Sequence, residues 1–199
     1  MAKEKLYLFD TTLRDGQQTQ GVDFSVEDKI SIAKALDSFG LDYIEGGWPG
    51  ANPTDTNFFE SRPKFKNSKF TAFGMTKRSG RSADNDPQLR ALIDSGAESI
   101  CLVAKTWDYH VDVALGITLD ENILSIKESV DAVKKNQLEP LIDCEHFFDG
   151  FKSNPDFSLS CIESALKAGA DWVVLCDTNG GTLPGEIFEI VSAVSKRFS

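Results

Sequence analysis

Six short apolar runs recur along the chain, and amphipathic segments separate them. Most runs are apolar on both faces, which predicts strands of a parallel sheet that helices cover on each side. The runs are residues 6–9, 43–44, 70–73, 100–104, 141–144 and 172–176. The first of them is expected to be a buried strand. The alternation therefore predicts an α/β fold with six strand–helix units.

Capping residues indicate where the helices begin. Residues 25–28 form a capping-box pattern, and the two Asn-Pro pairs place proline at a first helical position. A longer helix is predicted from about residue 120 to residue 136. The predicted helix starts are Ser25, Asn52, Pro87, about Asp120, Asn154 and a position near Pro184.

A five-residue pattern recurs at three helix-to-strand junctions, which are residues 40–44, 96–100 and 169–173. Each copy has a glycine, an apolar residue, an acid, a variable residue and a β-branched residue. The glycine is predicted to end a helix in the left-handed conformation, with a strand about three residues later. This repetition favours a (β/α) barrel. A doubly wound sheet is the alternative, and the absence of a phosphate-cradling GxGxxG or GxxxxGK[ST] motif after the first strand disfavours it.

Six units are fewer than the eight of a complete barrel, which typically needs ~250 residues. The chain has 199 residues and ends inside or just after the sixth helix. We therefore predict an incomplete (β/α) TIM barrel, a single truncated domain over residues 1–199. Its first and sixth strands would expose backbone edges. We accordingly expect a homo-oligomer, completion of the barrel by another chain, or marginal solubility.

Composition and charge limit the class of partner. The chain is 41% hydrophobic and 26% charged, with a formal charge of −10 and no basic run, so nucleic acid is not an expected partner. No apolar run approaches the ~20 residues that span a membrane. Residues 1–5 lead directly into a strand without the apolar region of a signal peptide. Four cysteines without a CxxC pair predict buried, reduced thiols in a cytoplasmic protein: Cys101, Cys144, Cys161 and Cys176.

Polar side chains follow each predicted strand, where α/β proteins place their ligand sites. After the first strand, residues 10–16 (Asp-Thr-Thr-Leu-Arg-Asp-Gly) bring two carboxylates and an arginine to a glycine turn. This grouping favours a divalent cation beside an anionic oxo-substrate. A salt-bridged turn, with Asp10 bonding the turn backbone, is the alternative.

The loops after the other five strands add acids, bases and imidazoles, which in a barrel would face one mouth. These residues are Glu45; Lys77, Arg78 and Arg81; Lys105, Trp107, Asp108 and His110; Asp143, Glu145 and His146; and Asp177, Thr178 and Asn179. Together they suit a divalent cation, a small carboxylate and a phosphate-bearing group at a positive rim made by Lys77, Arg78, Arg81 and Lys105. Hard oxygen ligands favour magnesium or manganese, and imidazole extends the choice to zinc or cobalt.

Each of these assignments has a structural alternative. Glu45 either takes a substrate-side role or pairs with Arg14 or another cation. The two histidines are more typical of structural positions than of metal ligands, because no HxH or HxxxH pair exists. The basic loop after the third strand is as typical of a solvated loop as of a phosphate clamp, and Trp48 and Trp107 are expected to pack as loop lids.

Four motifs, at residues 10–18, 43–49, 143–150 and 176–184, together resemble one family. They are similar to signatures of the metal-dependent Claisen-condensing barrel enzymes, which are the isopropylmalate, homocitrate and citramalate synthases and the related hydroxymethylglutaryl-CoA lyases. The Gly-Gly-Trp-Pro-Gly, Glu-His-Phe-Phe-Asp-Gly and Asp-Thr-Asn-Gly-Gly versions resemble the citramalate synthase branch. The resemblance extends from about residue 6 to residue 198.

The resemblance implies an acyltransferase that joins acetyl-CoA, the co-substrate, to a 2-oxo acid. Pyruvate would give citramalate, a step of isoleucine and branched-chain amino acid biosynthesis. It implies that Asp15 binds the metal (Mg, Mn or Zn), that Arg14 holds the 2-oxo acid and stabilises the oxyanion, and that Gln18 lines the pocket. Glu145 and Thr178 would act in acetyl-CoA enolisation. The alternatives are an isopropylmalate or homocitrate synthase, an acyl-CoA lyase or aldolase of the superfamily, and a non-catalytic binding fragment.

One signature of the family is missing from the chain. The remaining metal ligands that the resemblance implies, a His-x-His pair followed by Asn-Asp after a seventh strand, have no counterpart in these 199 residues. The chain therefore carries one of about three expected protein ligands. We expect weak metal binding and little or no turnover by residues 1–199 alone.

Overall fold

Six strands alternate with helices in the computed structural model, which describes residues 5–61 and 63–198. The strands are β1 Phe9–Asp10, β2 Tyr43–Gly47, β3 Lys69–Met75, β4 Ser99–Lys105, β5 Glu139–Glu145 and β6 Trp172–Leu175. They form one sheet in the order β1-β2-β3-β4-β5-β6. The pairs β1–β2, β2–β3 and β5–β6 are parallel. The expectation for residues 1–4, that no signal peptide is present, lies outside the described residues.

Helices follow every strand. They are α1 Val26–Phe39, α2 Pro53–Glu60, α3 Pro87–Ile93, α4 Asp108–His110, α5 Leu119–Lys135, α6 Phe147–Ser153, α7 Pro155–Lys167 and α8 Pro184–Arg197. A π-helical segment, Val111–Leu115, continues α4, and 3₁₀ turns occupy Gly16–Gln18 and Ala83–Asn85. The predicted α/β fold class, with six of the eight units of a (β/α) barrel, is confirmed. None of the helices in the described residues is long and apolar enough to cross a membrane.

The helix starts that the capping residues predicted are confirmed. Ser25 and Asp28 form a capping box at the start of α1. The side chains of Asn52 and Asn154 accept the backbone N–H groups of residues 55 and 157, at the starts of α2 and α7. Helix α5 begins one residue before the predicted position. Helices α4 and α6 were not predicted, because α4 has a single turn and α6 begins directly at the end of β5 without a side-chain cap.

The prediction that residues 6–9 form a buried strand is wrong in both extent and burial. Strand β1 consists of Phe9 and Asp10 alone, and the side chains before it are exposed, Leu6 by 79% and Leu8 by 46%. The reason is the position of β1 at one end of the described sheet, where β2 is its neighbour. An apolar run becomes a buried strand only where other elements cover it.

The chain divides into two compact units, which we describe separately. The first unit comprises Met1–Gly74 and Arg90–Cys101, and the second comprises Met75–Leu89 and Leu102–Ser199. Three phenylalanines form the centre of the first core, with Phe59 stacked on Phe70 at 4.4 Å and Phe58 edge-on to Phe70 at 5.4 Å between ring centroids. The second core includes Leu102, Ile126, Val130, Val133, Ile142, Phe147, Ile162 and Ala165. A single domain over residues 1–199 stays a prediction.

The cysteines agree with the predicted reduced thiols in all but one respect. No disulfide joins them within the described residues, and Cys101, Cys144 and Cys161 are buried, whereas Cys176 is only half-buried. Burial raises the pKa of the Cys161 thiol to about 12 and that of Cys144 well above its usual value. These two thiols are therefore protonated at neutral pH.

The three glycine junctions are confirmed. The φ angles of Gly40, Gly96 and Gly169 are 91°, 82° and 97°. The strands that follow begin at Tyr43, Ser99 and Trp172, three residues after each glycine. Left-handed backbone at these positions disfavours any residue with a Cβ atom.

We expect Gly40→Ala to lower the free energy of unfolding by about 1 kcal/mol. No atom lies within 4 Å of the position that a Cβ would occupy, so the cost comes from the left-handed backbone alone. Gly185→Ala, in the first turn of α8, is the matched control, because its surroundings are equally open and its φ is ordinary. Urea denaturation of both variants measures the difference, and an equal loss of stability in the two would contradict this account.

Candidate active site

The loop after β1 is shaped by the carboxylate of Asp10. It accepts hydrogen bonds from the backbone N–H and the hydroxyl of Thr12, at 3.0 and 3.1 Å. The carbonyl of Thr11 then accepts the backbone N–H groups of residues 14–16, at 2.8 to 3.1 Å. Asp10 therefore stabilises the turn, as the structural alternative predicted, and the turn carries Arg14 and Asp15 side by side.

Arg14 is held by contacts on several sides. Its Nε donates to Glu45 at 2.6 Å, and its Nη1 donates to Asp15 at 3.0 Å. The guanidinium carbon lies 4.1 Å from the centre of the Phe73 ring. The Glu45 side chain is fully buried, so its charge needs this close cationic partner. The predicted alternative that Glu45 pairs with Arg14 is thus observed.

Asp15 differs from Glu45 in being open to solvent, with 62% of its side chain exposed. One of its carboxylate oxygens accepts from Arg14, and no described residue donates to the other. An exposed hard oxygen of this kind can serve as one ligand of a divalent cation. Gln18 is also exposed, and its backbone N–H donates to the Asp15 carbonyl at 3.0 Å. The structure brings Arg14, Asp15 and Glu45 into contact, whereas the Gln18 side chain makes no hydrogen bond within the described residues.

A second buried ion pair supports the strand end that carries Glu45. Lys29 is fully buried, and its ammonium contacts the Asp55 carboxylate and the Gly46 carbonyl, the latter at 3.0 Å. The other oxygen of Asp55 accepts the backbone N–H of Trp48 at 2.9 Å. The pair therefore holds the chain on both sides of residue 47. The sequence analysis missed it, because a lysine in an amphipathic helix and an acid in a first helical turn are usually exposed.

Two glycines make this arrangement possible. Gly47 has a φ of 136°, and a Cβ there would lie 2.6 Å from the Asp55 carboxylate. A Cβ on Gly46 would lie 2.4 Å from the Phe70 ring. The register between β2 and β3 shifts between Glu45 and Gly47, as in a β-bulge. Without side chains, Gly46 and Gly47 let the backbone at the end of β2 lie close to the Phe70 ring and the Asp55 carboxylate, while Glu45 stays buried.

In the second unit, Glu145 at the end of β5 is fixed through both its backbone and its side chain. Its carboxylate forms an ion pair with the Lys105 ammonium at the end of β4. Its carbonyl accepts the hydroxyl of Thr106 at 2.9 Å and the backbone N–H of the same residue at 3.3 Å. A quarter of the Glu145 side chain is exposed, which leaves its carboxylate accessible to a ligand.

The next residue, His146, has a left-handed backbone with a φ of 54°, unusual for a residue with a side chain. In this conformation its backbone N–H donates to the Thr178 hydroxyl oxygen at 2.8 Å. Phe147 N–H donates to the Cys176 carbonyl at 3.1 Å. Thr178 is therefore held at the end of β5 by the backbone N–H of the residue that follows Glu145. Because its oxygen accepts a bond, its own proton stays available for donation.

Two imidazoles and an indole pack together beside Glu145. The rings of His110 and His146 meet edge to face with centroids 4.1 Å apart, and Trp107 stacks on His110 at 4.9 Å. Burial lowers the pKa of His110, and the neighbouring His146 and Lys105 lower it further. His110 is consequently uncharged at neutral pH.

The predicted positive rim is wrong for two of its four members. Lys77 is buried, and its ammonium lies 3.3 Å from Glu128 and 3.7 Å from Glu121. Lys105 is paired with Glu145. Both side chains pair with acids on elements that come later in the chain. The charges within one loop give no information about such distant partners. The exposed members are Arg78 and Arg81.

Comparison with known proteins gives the family context. The HMGL-like family model matches residues 5–199. The (R)-citramalate synthase of Aquifex aeolicus is 55% identical over 197 residues, covering 98% of this chain and 37% of the relative. That of Streptomyces coelicolor is 50% identical over 194 residues, covering 96% and 36%. The 2-isopropylmalate synthase of Sulfolobus acidocaldarius is 34% identical over 193 residues, covering 97% and 48%. The chain thus spans less than half the length of these relatives.

Solved structures share the fold at low sequence identity. The HMG-CoA lyase from Brucella melitensis has a TM-score of 0.77 and 17% identity, covering 96% of this chain and 68% of that one. An HMG-CoA lyase from Acinetobacter baumannii, in complex with coenzyme A and 3-methylmalate, has a TM-score of 0.72 and 22% identity, covering 95% and 62%. The TM-scores show a common fold, while the family model and the more similar relatives above identify the family. The chain belongs to the HMGL-like family.

Proposed function

We propose that this chain carries acid–base and 2-oxo acid-binding groups of an acyltransferase that joins acetyl-CoA to pyruvate to give citramalate and free CoA. Similarity to (R)-citramalate synthases over nearly the whole chain supports this function. The observation that carries it is the Arg14–Glu45 contact at 2.6 Å, which fixes a guanidinium beside an exposed carboxylate at the end of a strand.

Arg14 is the proposed anchor of the 2-oxo acid. Contacts with Glu45 and Phe73 set the plane of its guanidinium. A planar donor that is already ordered binds a carboxylate or keto oxygen with little further loss of side-chain freedom. The same positive charge would stabilise the alkoxide that forms when the keto carbonyl is attacked.

Asp15 is the proposed ligand of a divalent metal ion, magnesium, manganese or zinc. Its donor chemistry fits, because one carboxylate oxygen is exposed and accepts no hydrogen bond from the described residues. A bound cation would supply Lewis-acid polarisation of the keto carbonyl. A single carboxylate holds such ions weakly, so tight binding needs additional ligands.

Glu145 is the proposed base, and Thr178 the proposed hydrogen-bond donor, for acetyl-CoA. The Glu145 carboxylate would take a proton from the acetyl methyl group, and the C–H electron pair would form the enolate. The Thr178 hydroxyl would donate to the enolate oxygen. The enolate carbon would then bond to the keto carbon of pyruvate, whose C=O π electrons would move to the oxygen, and this oxygen would take up a proton. Water would cleave the thioester and release the CoA thiol.

Other reactions on the same scaffold have weaker support. The 2-isopropylmalate synthases are 30–34% identical to this chain, below the 42–55% of the citramalate synthases. A homocitrate synthase would share the same groups and differ in its 2-oxo acid. The structural relatives named as lyases share the fold at 17–22% identity, which does not favour lyase chemistry. A non-catalytic binding fragment is the remaining alternative.

We also propose that an apolar surface of the second unit binds a polypeptide, either a second copy or a chain that completes the barrel. This surface, the β6–α8 face, consists of exposed apolar side chains on β6, on α8 and just before α8. They are Trp172, Val174, Leu183, Phe188 and Val191, with exposures of 37% to 75%. Large apolar side chains that stay exposed on these elements support an interaction surface.

Glu145→Gln should slow exchange of the acetyl-CoA methyl protons with deuterium by about 100-fold or more, because the amide cannot accept the proton. Exchange is a partial reaction that does not need pyruvate, and proton NMR follows it directly in the 199-residue chain. Glu189→Gln, an exposed acid on α8, is the matched control. Equal exchange rates in unmodified chain and in Glu145→Gln would contradict the assignment. Pyruvate-dependent release of CoA thiol with added magnesium, manganese or zinc tests the complete reaction, and residues 1–199 alone should show little or none of it.

Asp15→Asn should abolish manganese-induced broadening of nearby NMR signals, because an amide is a much weaker cation ligand. It should change the free energy of unfolding by less than about 0.5 kcal/mol, since the side chain is exposed. Glu45→Gln should instead cost about 3–5 kcal/mol, because it leaves the Arg14 charge without its buried partner. Persistent broadening in Asp15→Asn would refute the ligand assignment.

Phe188→Ser should reduce self-association of the chain or its capture of a barrel-completing partner, because Phe188 is the most exposed member of the β6–α8 face at 75%. Light scattering after gel filtration measures the mass over a range of concentrations. Phe39→Ser is the control, since Phe39 is 82% exposed at the end of α1 in the first unit. A monomeric, cooperatively folding unmodified chain at all concentrations would refute the proposed surface.

A further inference from the structure

The histidine stack beside Glu145 has no role in the proposed reaction. We define it as Trp107, His110 and His146, whose rings lie 4.1 to 6.0 Å apart between centroids. The chain contains two histidines, and both belong to this stack. One of them directly follows the proposed base, so the stack is in a position to influence it.

Packing, and not hydrogen bonding, holds these rings in place, because their buried nitrogen atoms make no hydrogen bond with the described residues. Within the described residues, the Nδ1 atoms of both histidines and the Nε1 atom of Trp107 are buried and make no hydrogen bond. Asp149 comes no closer than 3.9 Å to Nδ1 of His146, which is beyond hydrogen-bond distance. A protonated imidazole has two N–H donors, so charging His110 would bury a donor without an acceptor. The geometry thus favours an uncharged His110 ring.

The stack also supports an unfavourable backbone. The left-handed conformation of His146 costs about 1–2 kcal/mol for a residue with a Cβ atom, and persists only where the surroundings enforce it. The His146 side chain is 11% exposed and packs edge to face on His110. Its backbone N–H meets Thr178 in this conformation. Ring packing therefore maintains the peptide geometry that links Glu145 to Thr178.

We propose that His110 is a positioning residue: by packing on His146 it maintains the left-handed backbone that orients Glu145 and Thr178 for proton removal from the acetyl thioester. This inference rests on the proposed function for its catalytic consequence. Its structural part, the dependence of the His146 backbone on His110, stands without it. His110 acts through His146, so its flat ring matters and its basicity does not.

The charges around His110 set the pH range in which the stack is intact. Lys105 faces it from β4, Glu145 and His146 from the end of β5, and Asp149 from α6. Burial, His146 and Lys105 lower the pKa of His110 below its usual value of about 6.5, while the two acids oppose them. The unfolded chain thus binds a proton first as the pH falls. The stabilisation by neutral His110 is complete above about pH 6.5 and is lost as the pH falls through the lowered value.

The test compares His110→Ala, which removes the ring, with His110→Phe, which keeps a flat ring without nitrogen. His110→Ala should slow deuterium exchange of the acetyl-CoA methyl group on the order of tenfold or more. It should also remove the hydrogen-exchange protection of the His146 amide, while circular dichroism shows a folded chain. His110→Phe should restore both quantities to within about threefold and lack the loss of stability below about pH 6.5.

Backbone variants at His146 separate packing from conformation. His146→Gly permits the left-handed backbone at no cost, whereas His146→Ala does not, so the glycine variant should retain more exchange activity than the alanine variant. Undiminished activity and amide protection in His110→Ala would overturn the proposal. Equal defects in His110→Ala and His110→Phe would also overturn it, because they would assign the role to imidazole chemistry.

The two proposals fail in different ways. If the unmodified chain shows no exchange that depends on Glu145, the proposed function fails. Protection of the His146 amide then still decides the positioning role: loss in His110→Ala together with recovery in His110→Phe supports it, and unchanged protection refutes it.

Discussion

The buried carboxylate of Glu45 is the constraint on which the first unit depends. A fully buried charge is tolerated only beside a close counter-charge, and Arg14 provides it at 2.6 Å. Glu45 can occupy that position because Gly46 and Gly47 let the strand end approach its neighbours. The Lys29–Asp55 pair holds the same segment through the Gly46 carbonyl and the Trp48 backbone N–H. Two ion pairs with buried carboxylates thus support the strand end that Arg14 contacts.

In the second unit, backbone hydrogen bonds and ring packing hold the end of strand β5 in place. The carbonyl of Glu145 is tied to Thr106, and the amide of the next residue is tied to Thr178. Both groups that are proposed to act on the acetyl thioester thus depend on the peptide geometry at the end of β5. The fold does not by itself select the reaction, because lyases share it at 17–22% identity. The proposed condensation is supported by the similarity of the sequence to (R)-citramalate synthases.

Errors of the sequence analysis have two physical origins. Residues 6–9 were predicted to form a buried strand because they are apolar. Their actual exposure depends on which elements lie beside β1, and Leu6 is exposed. Lys77 was predicted to be part of a positive rim, yet it is buried and lies close to two acids much later in the chain, Glu121 and Glu128. Helix α6 was hidden because the residues that begin it, directly after Glu145, lack a side-chain cap. In each case a distant partner, or a missing local signal, decided the outcome.

The sequence by itself determined the features that short-range interactions encode. The capping box at Ser25, the Asn-Pro helix starts and the left-handed glycines at the junctions each act within about five residues, and their periodic recurrence was enough to predict six strand–helix units. Its motifs also indicated the family. Only the tertiary structure decided which charges are paired and which are exposed, because burial and ion pairing depend on residues far apart in the chain. The exposed Asp15, the buried Glu45 and the uncharged His110 are consequences of that packing.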